Sequence, residues 1–307
     1  MPQLPYFLEA ARRKVDTRWF NWRCRRVRDT PPLQCDPQSS VVVVSQLYSP
    51  DLTMYLLAAK SFGRFVQPRE FLIVDDGLTD DDRALLEHHL GRVSFVRTRD
   101  VNTGVCPRGG CWERLLSLSD RNREHYAIQL DADTLTISEP TEVLQCIKEQ
   151  RTFTLGTPTG RHLVSAAEAK AYADVHVYEH VQSWTERVLD QLPGAEKLLY
   201  VRGCAGFAGF APGDLPLAGI EAHARALSSL IGAERFAQWG SEQVTSNLMA
   251  ANAPNALVLP VDTYPFWLPG LKTEQLALIH FFGTYRYLKG MYLSQSLRVI
   301  DELCASV

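Results

Sequence analysis

The stretch Ile128-Gln129-Leu130-Asp131-Ala132-Asp133-Thr134 carries the sharpest chemistry in this chain of 307 residues. Two carboxylates one residue apart, after an apolar run, point the same way if the chain continues as a strand. The alanine between them is small, and two hard oxygen donors held together make a place for Mg²⁺ or Mn²⁺. Such an ion bridges a diphosphate and neutralises charge developing on a leaving phosphate. The same pair would also serve as a turn or helix cap before Ser138 and Glu139. Other polar groups follow apolar runs: Ser45 and Tyr48 after Val41-Val42-Val43-Val44, and Asp75-Asp76-Gly77 after Phe71-Leu72-Ile73-Val74. Arg108 and Arg114 have the guanidinium chemistry that clamps phosphates, or that forms surface ion pairs. Glu242 and Gln243 stand at the start of a helical stretch, where a carboxylate is also a plain capping residue. His280 sits in Leu276-Ala277-Leu278-Ile279-His280-Phe281-Phe282-Gly283, where a lone imidazole is most simply a core residue.

For these groups to meet, strand ends must share a rim. Val41 to Val44 has no polar face and reads as a buried strand. Pro50 and Asp51 open a helix with apolar residues at Leu52, Tyr55, Leu56, Ala59 and Phe62. Further strands are expected at 71–74, 93–96 and 126–130, with helices at 79–90 and 112–118. Asp80, Asp81 and Asp82 in a first turn favour the helix dipole. This alternation predicts an α/β fold, a mostly parallel central sheet with helices on both faces. Ligands then sit beyond the carboxyl ends of the strands, where Ser45–Tyr48, Asp75–Gly77 and Asp131–Asp133 line up. The second half predicts strands at 152–157, 256–261 and 276–282 and helices at 166–192 and 241–251. Gly203, Gly206 and Gly209 in the strand-like 199–210 imply close packing or close approach of a ligand.

An apolar strand ending in Asp-x-Asp, downstream of Val74-Asp75-Asp76-Gly77, resembles the glycosyltransferases of the GT-A fold, over roughly residues 41–285 in order of elements. The resemblance implies that Asp131 and Asp133 bind a divalent metal and a sugar nucleotide. It implies that Asp75 and Asp76 contact the base and ribose of a nucleotide-diphosphate sugar, more simply UDP-linked, with Ser45 and Tyr48 lining the same pocket. An Asx turn with Gly77 at positive φ is the other reading of Asp75. Glu242 is the implied general base on an acceptor hydroxyl. Gln243 matches instead a glutamine near the anomeric carbon in retaining members, so the pair mixes the two patterns and leaves the stereochemistry open. His280-Phe281-Phe282-Gly283 is similar to a segment that completes the metal shell in some members, a donor set favouring Mn²⁺. The lysine that follows there is missing, and Arg286 or Lys289 would hold the diphosphate. Tyr264, Phe266 and Trp267 form a candidate acceptor wall. A nucleotidyltransferase of related fold would want a Gly-rich, basic loop where Ser45-Gln46-Leu47-Tyr48-Ser49-Pro50 stands. A non-catalytic nucleotide-sugar or glycan binder would not need Glu242. A haloacid-dehalogenase-type phosphatase would need a later acidic pair, and no Asp-Asp follows Asp133.

Composition bounds the partners. Hydrophobic residues make up 46% and charged residues 22%, with a net charge of -3, which suits a globular core and argues against nucleic acid as a partner. Residues 1–40 form a basic extension to a single domain at 41–307. They hold eight of the 32 Lys and Arg but four of the 35 Asp and Glu, a local charge of +4 against -7 for the rest. Its arginines interleave with Trp19, Phe20 and Trp22, as in a helix packed on the domain or one lying on an anionic membrane. Thr30-Pro31-Pro32 ends it. Seven cysteines without a CxxC pair suit a reducing, cytoplasmic compartment. The implied acceptor is a hydroxyl on a glycan, lipid-linked molecule or protein.

Overall fold

The computed structural model describes residues 6–271 and 275–305; the first five residues of the basic extension, 272–274 and 306–307 lie outside it. The strands are β1 (Val41–Leu47), β2 (Glu70–Asp75), β3 (Val93–Arg97), β4 (Tyr126–Leu130), β5 (Thr134–Thr136), β6 (Phe153–Leu155), β7 (Val164–Ser165), β8 (Leu199–Tyr200), β9 (Cys204–Phe210), β10 (Leu257–Leu259) and β11 (Leu278–His280). The helices are α1 (Tyr6–Arg23), α2 (Leu52–Val66), α3 (Asp80–Leu90), α4 (Trp112–Asn122), α5 (Thr141–Glu149), α6 (Ala166–Val175), α7 (Val181–Glu186), α8 (Leu217–Ile231), α9 (Ala233–Phe236), α10 (Ser241–Ala251) and α11 (Met291–Ala305).

The central sheet has the order β10-β6-β9-β4-β1-β2-β3. It is mostly parallel, as the alternation of strands and helices predicts, but β9 runs antiparallel to both β4 and β6. Successive valines of β1 feed opposite faces. Val41 and Val43 join one apolar core with α2, α3, α5 and α11, while Val42 and Val44 join a second with α4, α8 and α10. This double burial is why the strand has no polar face.

Several boundaries differ from expectation. The stretch expected as one helix over 166–192 breaks into α6, α7 and a short 3₁₀ turn at Leu189–Gln191. Ser165 and Glu168 form a capping box that starts α6. Only Leu278–His280 of the strand expected at 276–282 is regular, and it leaves the central sheet to pair antiparallel with β5. The basic extension packs on the domain. Phe20, Cys24 and Val27 are buried in the first core, and Phe20 stacks on Tyr292 at 4.3 Å between ring centroids. The proline break is anchored by Lys60, a buried lysine of α2. Its Nζ donates to the Pro31 carbonyl at 2.6 Å and lies 3.1 Å from His89 Nδ1. Burial lowers the Lys60 pKa to about 8.

Candidate functional site

Asp131 follows the last residue of β4, and the strand does not continue through it. The Thr134 hydroxyl donates to the Asp131 carbonyl at 2.8 Å, closing a turn that leads into β5. The carboxylates therefore converge by a turn and not by strand alternation. Pairing of β5 with β11 sets His280 opposite Thr134, and the Phe281 N–H donates to the Asp133 carbonyl at 2.8 Å. His280 Nε2 then lies 3.1 Å from Asp133 Oδ1 and 3.9 Å from Asp131 Oδ2. One potential donor atom from each of Asp131, Asp133 and His280 falls within 4.8 Å of the others. His280 is thus no ordinary core histidine.

Gly206 of β9 makes room for that imidazole. A Cβ there would stand 2.9 Å from both ring nitrogens. The Asp131 N–H donates to the Gly206 carbonyl at 2.8 Å, so the same residue also fixes the turn. Cys204 Sγ lies 3.5 Å from His280 Nδ1, and the Phe266 ring meets the imidazole edge-on at 5.6 Å.

Cations surround the cluster. Arg286 Nη2 donates to Asp133 Oδ2 at 2.5 Å, while its Nε donates to the Phe281 carbonyl at 2.9 Å. Arg114, buried on α4, donates to Asp131 and reaches Glu242 Oε1 at 3.4 Å. Although burial opposes its charge, His280⁺ and Arg286 hold the Asp133 carboxyl well below the usual range. Burial dominates at Asp131 and raises its pKa despite Arg114. Burial would neutralise His280, but Asp133 beside it overcomes that and raises its pKa well above 6.5. A proton on the imidazole thus holds charge where the two carboxylates meet. Two carboxylate oxygens and an imidazole nitrogen, converging with room left by Gly206, fit a divalent cation of the Mn²⁺ class, which would take the place of that proton.

No family model matches the sequence, and no curated protein sequence matches it. Solved structures do. WbbM, a bifunctional glycosyltransferase, superposes with a TM-score of 0.53 at 11% identity over 86% of this chain and 50% of its own, so this chain spans half of WbbM. An active-site Gln→Glu variant of LgtC superposes with a TM-score of 0.50 at 11% identity, over 85% of this chain and 95% of that one.

The chain has the GT-A fold.

In this GT-A frame the remaining candidates separate. Tyr48 and Asp76 are exposed on the rim, Tyr48 near Arg286 and Asp76 3.5 Å from Gln46 Nε2. Asp75 is corrected to a structural role. Its Oδ1 accepts from the N–H groups of Gly77 and Leu78 at 2.9 and 2.7 Å, and its Oδ2 accepts from Arg83 at 2.6 Å. This is the Asx turn, with Gly77 at φ 100°. Ser45 is also corrected: it is fully buried and donates to the Leu130 carbonyl at 2.7 Å, tying β1 to β4 below the rim. Arg108 donates to the carbonyls of Thr98 and Val101, both at 3.1 Å, and lies 3.8 Å from Glu113, contacts that fix its own loop. Arg114 is no open clamp, because Asp131 and Glu242 enclose it.

Glu242 lies in the first turn of α10 with 4% of its side chain exposed, facing Arg114. Burial, offset in part by Arg114, pushes its pKa up to about 7. A base that must meet an acceptor hydroxyl needs an open path. Glu242 has none in this arrangement and instead holds Arg114. Gln243 is half-buried; its Oε1 accepts from the Ala205 N–H at 3.3 Å beside the cluster. Tyr264 and Trp267 are core residues, and Tyr264 donates to Glu142 at 2.8 Å. Of that candidate acceptor wall only Phe266 meets the site. Gly203 and Gly209 pack on Leu155 and Phe153, so close packing accounts for them.

Sequence reasoning missed Asp51. It precedes α2, and its carboxyl is pushed up to about 6 by burial, opposed by Arg286 and reinforced by Asp133 and Asp131. Its position beyond an apolar strand, like that of Tyr48, was the available signal. Arg286 was considered in place of a missing lysine, and the structure brings it to Asp133.

Proposed function

We propose that this chain is a metal-dependent glycosyltransferase that moves a sugar from a nucleotide-diphosphate donor, UDP-linked, to a hydroxyl acceptor. The observation that carries the reading is the convergence of Asp131, Asp133 and His280 at the end of β4 in a GT-A fold. These three residues would hold Mn²⁺. When bound, such an ion neutralises the diphosphate and the charge that grows on it as the sugar leaves.

The protein's own groups do the rest. Gly206 and Cys204 seat the imidazole so that Nε2 faces both carboxylates. Arg114 orients Asp131, and Glu242 orients Arg114 from behind, a chain of buried contacts that limits drift of the first ligand. Arg286 lies against Asp133 at the rim, where its guanidinium would meet phosphate oxygens. Asp76 and Tyr48 face outward where the nucleoside would lie. Gln243, half-buried next to β9, would face the sugar or the acceptor. The seven unpaired cysteines accord with a reducing, cytoplasmic setting.

A thermal-shift panel of nucleotide sugars, with and without Mn²⁺, tests this directly, because a ligand bound only by the folded state raises stability by mass action. A UDP-sugar is expected to shift the melting temperature only with Mn²⁺. Asp133→Asn should abolish both that shift and release of UDP. The reading falls if no nucleotide sugar gives a metal-dependent shift, or if the variant keeps full UDP release. A shift without any transfer or donor hydrolysis would identify a binding protein instead.

A further inference from the structure

Helix α1 packs one side on the domain and leaves a second face, with apolar residues, exposed. Phe20 lies in the core, the Thr17 hydroxyl is 3.0 Å from the Tyr287 hydroxyl, and Asn21 Nδ2 donates to the Pro50 carbonyl at 3.0 Å. Val15, Trp19 and Trp22, spaced i, i+4 and i+7, share the outward face. They are 64%, 52% and 53% exposed. The two indoles pack together with centroids 5.1 Å apart. Arg23 sits 5.5 Å from the Trp19 ring and Arg25 4.9 Å from the Trp22 ring.

A surface cavity of about 330 Å³ opens beside Trp22, lined by Arg23, Arg25, Arg26, Leu297 and Asp301. Three guanidinium groups face one carboxylate there. Asp301 pairs with Arg26 at 3.1 Å, and both are more than half exposed. Among the described residues, Arg18, Arg23 and Arg25 make no ion pair with a carboxylate. Arg12, Arg13, Lys14 and Arg18 are exposed further along α1.

We propose that this face is a binding site for anionic phospholipid, with a phosphate headgroup in the arginine-lined cavity and the paired indoles in the bilayer interface. Charge decides the occupant. The patch is strongly basic within a chain of net charge -3, so a second copy presenting the same face would be repelled. Neighbouring tryptophans flanked by arginines suit the boundary between water and acyl chains, where indole rings settle and cations meet anionic headgroups. No helix among the described residues is long and apolar enough to cross a membrane, so the contact is interfacial. The covered side of α1 touches Pro50, beside Asp51, and Tyr287, beside Arg286. Binding would therefore hold the rim of the GT-A site near the bilayer.

The test is co-sedimentation of the full chain with vesicles of phosphatidylcholine alone or mixed with phosphatidylglycerol, at low and high salt. Binding to the anionic vesicles only, weakened by salt, is expected, with a blue shift of tryptophan emission. Each arginine near such a surface contributes about fivefold to partitioning. An Arg23→Gln, Arg25→Gln, Arg26→Gln variant should therefore bind about a hundredfold more weakly. Trp19→Ala with Trp22→Ala should abolish the emission shift and loosen binding. All five residues are exposed, so unchanged melting temperatures check the fold. Equal binding to both vesicle types overturns the proposal, as does undiminished binding by the variants. Binding of a soluble polyanion such as RNA with no vesicle binding also overturns it. Lipid binding is read without donor or acceptor, so this outcome is independent of the transferase reading.

Discussion

Gly206→Ala is the most exposing single change in the site. Its new methyl group would overlap His280 Cε1 and stand 2.9 Å from Nδ1 and Nε2, whereas ordinary contact begins at 3.4 Å. The imidazole must move by about an ångström, since the buried main chain of β9 has no slack to give. His280 Nε2 is 3.1 Å from Asp133 Oδ1, so a shift of that size is a large part of the ligand geometry. A misplacement of about 1 Å costs roughly a hundredfold in rate, and a loss of that size is expected here. Overpacking should also cost about 1–3 kcal/mol of stability. Gly209→Ala separates the two effects. Its methyl group would overlap the Phe153 ring, in the core and away from the cluster. It should lose stability to a similar extent yet keep its metal dependence. The assay is UDP release against Mn²⁺ concentration, with melting temperatures for both variants. Gly206→Ala should need about a hundredfold more Mn²⁺ or turn over about a hundredfold more slowly. The reasoning is refuted if it keeps the parent's Mn²⁺ dependence and rate, or if Gly209→Ala loses them equally.

Three further outcomes are expected. Arg114→Lys keeps the charge but cannot fork between Asp131 and Glu242; UDP release should fall at least about tenfold, about 1.4 kcal/mol, and an unchanged rate would remove Arg114 from the positioning chain. Glu242 is pushed up to about 7, so its carboxylate forms as pH rises through 7; turnover should rise over that range in the parent and flatten in Glu242→Gln, and an identical profile in both would assign the limb to another group. His89 is held at about 4 against an ordinary 6.5, by burial and then by the charge of Lys60. Its contribution is complete above 6.5 and is lost as pH falls towards 4, because the unfolded chain takes up the proton first, at a cost of about 3 kcal/mol. His89→Asn, which keeps an acceptor for Lys60, should blunt the fall in melting temperature between those limits; an equal fall in the variant would refute this.

Local pattern was enough for the elements that carry the site. Val41 to Val44 announces a strand buried on both faces because every residue is apolar. Thr79 with Asp80, Asp81 and Asp82 announces the start of α3, and Ser241–Ala251 forms as a helix over the span expected. Asp131-Ala132-Asp133 was visible as a possible ligand pair because two acidic groups after an apolar strand are chemically conspicuous. His280 was brought into the set by likeness to a known segment, for an imidazole in an apolar run carries no periodic signal of its own. The antiparallel sense of β9 and the turn at Asp131 were not legible, since neither changes the spacing of apolar residues.

What tertiary structure decided is which charges meet. Arg286 is 153 residues from Asp133, and Arg114 is 128 from Glu242. Sequence spacing says nothing about such pairs, because packing of separate elements and desolvation bring them together. The same physics gives Asp75 and Ser45 their structural roles. A polar side chain at a strand end looks free on paper, yet buried N–H and C=O groups must be satisfied, and these two residues satisfy them. Residue type set what chemistry was available, and burial determined which groups remained open to perform it.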